Sequence, residues 1–528
     1  MFARPFISTL TLPASGTRRL RIGASLGLSV LVLAACGGGD SATEIAGPTE
    51  HPTAASSCGS RTNNNIDKLL ECVTLEGVRA HQAAFQAIAD ANGGARYAGS
   101  PGYDASVAYV RDKLTAAGYQ VTLNAFPFEF VPPAVLRQIA PISATYETGP
   151  FTGTGSGTVT AAVVAVDISL APPREPVTSG CEAADFAGFP AGAIALIQRG
   201  TCTFAQKVLN AQAAGASAVI IFNQGNTPQR EDLIIGTLAP ATATIPVVGA
   251  SFADGSALAQ AGSQATITVL PAQNITQYNV IAESRDGDPN NVVMVGAHLD
   301  SVQRGPGIND NGSGSAALIE VATQMAKVKP RNKLRFAWWG AEEAGLVGST
   351  EYVTGLSEND LGKIALYLNF DMVGSPNHVF FIYDGDNSDE IGSGPGPEGS
   401  TQIEQTFERF FLQRGVPFKG TDFDGRSDYG PFIAAGVPSG GLFTGAEGIK
   451  TAEEATIWGG TAGQPYDPCY HLACDTFANN NNFALETNTD AIAYATLQYA
   501  MSTQDVNAQR GKGNFKKLVV PYPKPEAK

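Results

Sequence analysis

The sequence predicts an α/β protein built on a doubly wound sheet, with a β-rich segment set into it. Apolar runs of buried-strand length recur at NVVMVGAHLDSV, KLRFAWWGAEE, KIALYLNFDMVG and HVFFIYDG, and the stretch GSAALIEVATQMAKV between the first two has helical character. Helical spacing followed by the strand-like QVTLNAFPFEF opens the folded part of the chain from about residue 64. Between these regions, from about residue 136, the texture changes to short β-rich runs punctuated by Gly and Pro.

A chain of 528 residues with 43% hydrophobic content has material for more than one core. Its formal charge of -15 argues against nucleic acid or an anionic membrane surface as a partner, since both need a basic face. Arg18, Arg19 and Arg21 precede the apolar run IGASLGLSVLVLAAC, the pattern of a secretory signal, too short for a stable membrane span. Leu33-Ala34-Ala35-Cys36 resembles the bacterial lipobox, so residues 1–36 read as a lipoprotein signal peptide with Cys36 as the lipidated residue. The only G-x-S-x-G match, Gly23 to Gly27, lies inside this signal and is no serine-hydrolase elbow. Gly37 favours sorting to the outer membrane of a Gram-negative bacterium, with periplasmic or extracellular protein after release. The membrane is thus expected to be met only through a lipid anchor.

Residues 37–57 are rich in Gly, Ser, Thr and Pro and read as a tether, because they offer almost no apolar side chains to bury. Ile66, Leu69, Leu70 and Val73, then Val78, Phe85 and Ile88, recur at helical spacing. Gly99-Ser100-Pro101-Gly102 breaks the pattern, and a further helix is expected over Ala105 to Ala117 before the strand; residues 58–135 form the first part of the α/β domain. The segment 136–271 holds strands such as TVTAAVVAV, AIALIQRG and SAVIIFN and one good helix, FAQKVLNAQAAGA, with no cluster of metal ligands. Alternation resumes at about Asn274, giving a second α/β part over 272–508, and the basic, proline-containing residues 509–528 read as a tail. The loop IGSGPGPEGS lacks the strand and helix context of a nucleotide fingerprint.

Besides Cys36, six cysteines remain: Cys58, Cys72, Cys181, Cys202, Cys469 and Cys474. An even count suits an oxidising, exported compartment, and nearest-neighbour pairing would join 58 to 72, 181 to 202 and 469 to 474, although six cysteines permit many connectivities.

His298, Glu342, Glu343 and Asp371 each follow an apolar strand, and ligands gather at the carboxyl ends of strands in wound sheets. Asp310 stands just ahead of a helix, and His471 lies in the late loop CYHLACD. Two histidines and several carboxylates without thiolates suit a catalytic zinc site. Singly, each residue has an ordinary reading as cap, packing or surface charge. Glu342 and Glu343, however, are flanked by WWGA and AGLVG, which is no solvated face. Consecutive side chains leave the backbone in different directions, so one carboxylate can bind a metal while the other addresses the water beside it.

The strings GAHLDSV, DNGSGSAALIE, FAWWGAEEAGLVGS, YLNFDMVGSPN, GRSDYGPF, GLFTGAEG and DPCYHLACDT resemble the secreted bacterial double-zinc aminopeptidases, especially the Streptomyces type, over nearly all of residues 64–135 and 272–505. The run from GCEAADFAGFP to FNQG, with ATIPVVGASFADGSAL, resembles the protease-associated domain over residues 136–271, whose family disulfide matches Cys181 and Cys202. The resemblance implies a three-layer α/β/α sandwich with a mixed, mainly parallel sheet, plus a small inserted β-rich domain with no chemistry of its own. It implies one zinc on His298, Asp310 and Asp371 and another on Asp310, Glu343 and His471, with Asp310 bridging and a cis peptide after it. Glu342 matches the general base acting on a metal-bridged water, Tyr470 the tyrosine that polarises the scissile carbonyl, and Asp300 a carboxylate orienting His298. Arg426, Phe443 and the Met372 to Ser375 stretch match the substrate pocket. Glu486 and Asp490 match a peripheral calcium site whose N-terminal partners are not recognisable in this chain. The expected substrates are peptides with a free N-terminus and a large apolar first residue, and a monomer is expected. A glutamate-type carboxypeptidase, a glutaminyl cyclase and a degenerate peptidase kept for binding are the competing readings; the last should lack ligands, and none is missing.

Overall fold

The computed structural model describes residues 57–506 apart from 175, 228, 229 and 393. The signal peptide with Cys36, nearly all of the tether and the basic tail lie outside the described residues. Among the described residues, no helix is long and apolar enough to cross a membrane.

The first part contributes α1 (Ile66–Leu70), α2 (Leu75–Ala91), α3 (Pro101–Ala117) and β1 (Gln120–Phe130). α3 starts at Pro101 rather than at Ala105. The Ser100 side chain accepts from the Tyr103 N–H, and proline suits a first helical position whose N–H has no partner in the helix. The residues that break the preceding pattern are therefore the start signal of this helix. Gly118, at φ 101°, closes it with a left-handed turn.

Next come β2 (Val135–Ala140), β3 (Ala144–Tyr146), β4 (Gly157–Val166), β5 (Ile194–Gln198), α4 (Phe204–Ala213), β6 (Ala218–Phe222), β7 (Val247–Ala250), α5 (Phe252–Leu258) and β8 (Gln264–Val269). These strands form a separate seven-stranded sheet in the order β3-β2-β8-β4-β5-β6-β7, with an apolar cluster on each face. β9 (Gln273–Glu283) then returns antiparallel along β1, from Phe130 opposite Gln273 to Gln120 opposite Glu283. The insertion thus leaves and re-enters the first sheet at neighbouring positions, so it interrupts no strand pairing.

The remaining elements are β10 (Asp288–His298), α6 (Gly312–Met325), β11 (Asn332–Trp339), α7 (Val347–Gly355), α8 (Glu358–Lys363), β12 (Ile364–Phe370), β13 (Phe381–Tyr383), α9 (Ser400–Arg414), β14 (Lys419–Thr421), α10 (Tyr429–Ala434), β15 (Ser439–Phe443), α11 (Ala452–Trp458) and α12 (Asn482–Met501). The eight-stranded sheet runs β1-β9-β11-β10-β12-β15-β13-β14. Its centre, β11-β10-β12-β15, is parallel, while β1 and β9 on one side and the β13–β15 pair on the other are antiparallel.

Strand alternation sends Trp338 and Trp339, both fully buried, to opposite faces. Trp338 joins the larger core with residues of α1, α2, α3, α6, α9 and α12. Trp339 joins the smaller one with α7, α8 and α10, where Tyr367 stacks on Phe432 at 4.0 Å. Helices on both faces of a mixed sheet make the three layers. Three disulfides, Cys58–Cys72, Cys181–Cys202 and Cys469–Cys474, suit an exported protein.

Candidate metal centre

Parallel pairing brings the carboxyl ends of three strands to one edge. His298 is the last residue of β10 and pairs with Trp339 at the end of β11; Asp371 directly follows β12. Glu342 and Glu343 sit in the turn after β11, and Asp310 lies two residues before α6, whose cap is Asn311. His471 comes from the loop closed by Cys469–Cys474.

These side chains converge. His298 Nε2 lies 3.2 Å from Asp310 Oδ1 and 3.2 Å from Asp371 Oδ1. His471 Nε2 lies 3.2 Å from Asp310 Oδ2 and 3.0 Å from Glu343 Oε2. Asp310 therefore presents one oxygen to each histidine. Glu342 Oε2 stands farther back, 4.0 Å from His298 Nε2.

The donors fit zinc. Ligands roughly 2.0–2.2 Å from a tetrahedral ion lie about 3.3 Å from one another, close to the spacings here. Imidazole and carboxylate donors in two groups, one of His298, Glu342 and Asp371 and one of Asp310, Glu343 and His471, come within 4.8 Å of each other inside each group. Glu343 Oε1 is buried without a hydrogen-bond partner, an open acceptor that a cation would satisfy. The protonation states tell the same story. Burial opposes a charge on His471, yet Glu343 and Asp310 hold its pKa up at about 11. His298 is likewise raised, against its burial, by Asp371 and Glu342. Burial pushes the Glu342 carboxyl well above its ordinary range; His298 pulls it down, and Asp371 and Glu343 push it up again. So many buried anions facing two imidazoles call for further positive charge.

The supporting contacts refine the expectation for Asp300. His298 Nδ1 donates to the Asp300 backbone carbonyl at 3.1 Å, whereas the Asp300 carboxylate is 3.7 Å away. That carboxylate instead accepts from the backbone N–H groups of Glu342, at 3.1 Å, and Glu343, at 3.3 Å. Asp300 therefore ties the His298 ring to the glutamate turn. Three contributors carry no role in the sequence reading. Ser427 Oγ donates to Asp371 Oδ2 at 2.6 Å. The Asp475 carboxylate accepts from the N–H groups of Asn309 and Asp310, at 2.8 and 3.0 Å, beside the cis Asp310–Asn311 peptide. Fully buried Arg96 donates to the carbonyls of Leu299, Pro306 and Gly307, pinning the loop between His298 and Asp310. Ser427 and Asp475 stand inside the strings GRSDYGPF and DPCYHLACDT; Arg96 is too distant in sequence to give any signal.

A cavity of about 260 Å³ opens beside the metal donors, lined by Met372, Phe381, Tyr383, Phe443 and Tyr466 on its apolar side. Asp422, Asp424 and Glu447 add acidic groups, and Arg426 and Tyr470 also line it. Arg426 donates to Glu447 at 2.8 Å and to the Tyr470 hydroxyl at 3.1 Å. Of the stretch Met372 to Ser375, only Met372 reaches the cavity; Val373 is buried in the larger core, and the Ser375 hydroxyl donates to the Gly445 carbonyl. Met372 and His471 hold left-handed backbone angles, φ 52° and 57°, a cost that concentrates at functional sites. At the expected calcium position, Asp490 is ion-paired with Arg414 at 2.7 Å, so a guanidinium already supplies positive charge there.

Comparison with known proteins adds identity to this geometry. The Peptidase family M28 model matches residues 279–496, and the PA domain model matches residues 159–258. An aminopeptidase of Pseudomonas aeruginosa is 53% identical over 449 residues, covering 83% of each chain. A probable lipoprotein aminopeptidase of Mycobacterium tuberculosis, LpqL, is 43% identical over 458 residues, covering 83% of this chain and 87% of the relative. The structure of BSAP, a zinc aminopeptidase from Bacillus subtilis, superposes with a TM-score of 0.62 at 25% identity, over 83% of this chain and 97% of that one. This chain therefore belongs to peptidase family M28, as a zinc aminopeptidase with a PA domain inserted into its peptidase fold.

Proposed function

We propose that this enzyme holds two zinc ions and removes large apolar residues from the free N-termini of peptides. His298, Asp310 and Asp371 hold one ion and Asp310, Glu343 and His471 the other. The observation that carries this reading is Asp310, whose two oxygens each face a different histidine at 3.2 Å. When bound, such ions would act as Lewis acids toward a carbonyl and make a nearby water acidic enough to lose its proton near neutral pH.

The chain's own groups do the rest. Glu342, set back from the ligands, takes a proton from the attacking water and returns it to the leaving amine. Tyr470 donates to the carbonyl oxygen as charge develops there. Asp300 and Ser427 keep His298, the glutamate turn and Asp371 in register. Glu342, Asp371, Asp422 and Asp424 line the cavity with negative charge, which favours an α-ammonium. Met372, Phe381 and Phe443 offer an apolar wall for the first side chain. A carboxypeptidase would need a cationic clamp, but Arg426 is engaged by Glu447.

The inserted unit is taken as residues 136–271, between peptidase parts 58–135 and 272–508. The lipobox at Cys36, with the name of the mycobacterial relative, supports export as a lipoprotein, and Gly37 favours anchoring at the outer membrane. The test of the function is hydrolysis of Leu-anilide against acetyl-Leu-anilide and Glu-anilide. Only the first should turn over efficiently; efficient cleavage of the acetylated compound would overturn the reading.

A further inference from the structure

A second and larger cleft, of about 1060 Å³, adjoins the metal donors and shares Glu343 and His471 with the smaller cavity. Its walls come from two different sheets. Phe130 at the end of β1 and Val131 after it form one wall; Phe204 of α4 and Ile235, between β6 and β7 of the inserted unit, form the other. Val131 is 38% exposed and Ile235 42% exposed, so both apolar side chains stand open across the cleft.

The walls are tied to each other by the loop that follows His298. Gln303 Nε2 donates to the Val131 carbonyl at 3.1 Å, and Arg304 pairs with Glu147 just beyond β3 of the inserted sheet. The same loop carries Asp300, which orders the glutamate turn. The cleft is thus fixed relative to the metal donors, and its floor continues directly into them.

Resting on the aminopeptidase reading above, we propose that this cleft holds the part of the peptide that follows the scissile bond, so that the inserted unit selects substrates with apolar second and third residues. An enzyme that removes one residue needs a small cavity for that residue and a larger path for the rest. The smaller cavity, bordered by Glu342 and Asp371, suits the former. The larger cleft leaves the site on the opposite, Glu343 and His471, side and has room for several residues. Glu129, Arg199 and the Arg304–Glu147 pair also line it, but its larger share is apolar, which gives a reason why apolar side chains beyond the bond should matter to affinity.

The experiment compares Leu-amide, Leu-Gly-Gly and Leu-Phe-Phe on the zinc-loaded full-length enzyme and on Ile235→Asp and Val131→Asp, which alter opposite walls. Wild type should favour Leu-Phe-Phe over Leu-Gly-Gly by at least about tenfold in kcat/KM, the effect of burying one apolar side chain. Each variant should lose that preference, mainly through KM, while Leu-amide, which has nothing beyond the bond, stays within about twofold of wild type. Equal treatment of the two tripeptides by wild type, or the preference surviving in both variants, would overturn the inference. If one variant loses Leu-amide turnover as well, its fold is damaged and the opposite-wall variant decides. Failure of wild type to hydrolyse Leu-amide and both tripeptides would strike the aminopeptidase reading itself.

Discussion

Arg426 donates a hydrogen bond to the Tyr470 hydroxyl at 3.1 Å. A hydroxyl that accepts from a cation keeps its own proton for a different acceptor, and burial, with Asp310 and Glu343, holds the Tyr470 pKa well above its ordinary value. The tyrosine is thus a protonated donor facing the metal donors. Tyr470→Phe should lower kcat by about 10²–10³-fold, the usual cost of an oxyanion donor, with zinc content unchanged. Arg426→Met should cause a smaller loss in the same parameter. Steady-state kinetics on Leu-anilide with metal analysis checks both, and an unaltered kcat in Tyr470→Phe would remove the tyrosine from the chemistry.

Ser427 holds the Asp371 oxygen that does not face His298. Losing this donor frees the carboxylate to rotate, and such partners typically contribute about 10–100-fold to metal affinity. Ser427→Ala should therefore surrender zinc to a chelator at correspondingly lower concentration, while fully loaded enzyme keeps most of its activity. Chelator competition measures it, and an unchanged profile would mean that Asp371 is held well enough by other contacts.

A stability effect is expected away from the site. Glu320 of α6 and His81 of α2 are buried together, 3.9 Å apart. Burial lifts Glu320 from 4.5 to about 7, against pulls from Gln324 and Thr74. Burial, then Lys113, lowers His81 from 6.5 to about 4. The folded state holds the Glu320 proton more tightly than the unfolded chain, so this contribution is full below pH 4.5 and is lost as pH rises through about 7. His81 has the opposite sign: its contribution is full above pH 6.5 and is lost as pH falls toward 4. Glu320→Gln should therefore gain stability over wild type at pH 8, by at most about 3 kcal/mol, and gain less than about 1 kcal/mol at pH 5. Urea midpoints at the two pH values test this; an equal shift at both would show that packing, not ionisation, governs the position.

Much of the architecture was readable because the central strands are unbroken apolar runs ending in polar residues, and parallel pairing then gathers those ends at one edge. The boundary of α3 was misplaced because Gly99 to Gly102 contain both a breaker and a starter; the Ser100 cap and the Pro101 preference act locally but do not appear in apolar periodicity. The partners of the candidate ligands were less readable. Asp300 accepts from two backbone N–H groups of the glutamate turn, and backbone geometry leaves no mark in a string of side chains. Arg96 reaches loop carbonyls about two hundred positions away, a contact set by the packing of α3 and the first strands rather than by any local motif. The two sheets were separable in sequence, but the cleft between them depends on Gln303 and Arg304 meeting Val131 and Glu147, which only the folded chain brings together.

In the proposed mechanism the adjacent carboxylates divide the labour, Glu343 binding metal and Glu342 moving the proton. Zinc per chain, measured alongside turnover of Leu-anilide in wild type, Glu342→Gln and Glu343→Gln, tests it most directly. Wild type and Glu342→Gln should each hold two zinc ions, with turnover in that variant reduced by at least about 10²-fold, and Glu343→Gln should show a weakened or missing ion. Zinc lost from Glu342→Gln, or two ions held as tightly as in wild type by Glu343→Gln, would contradict it.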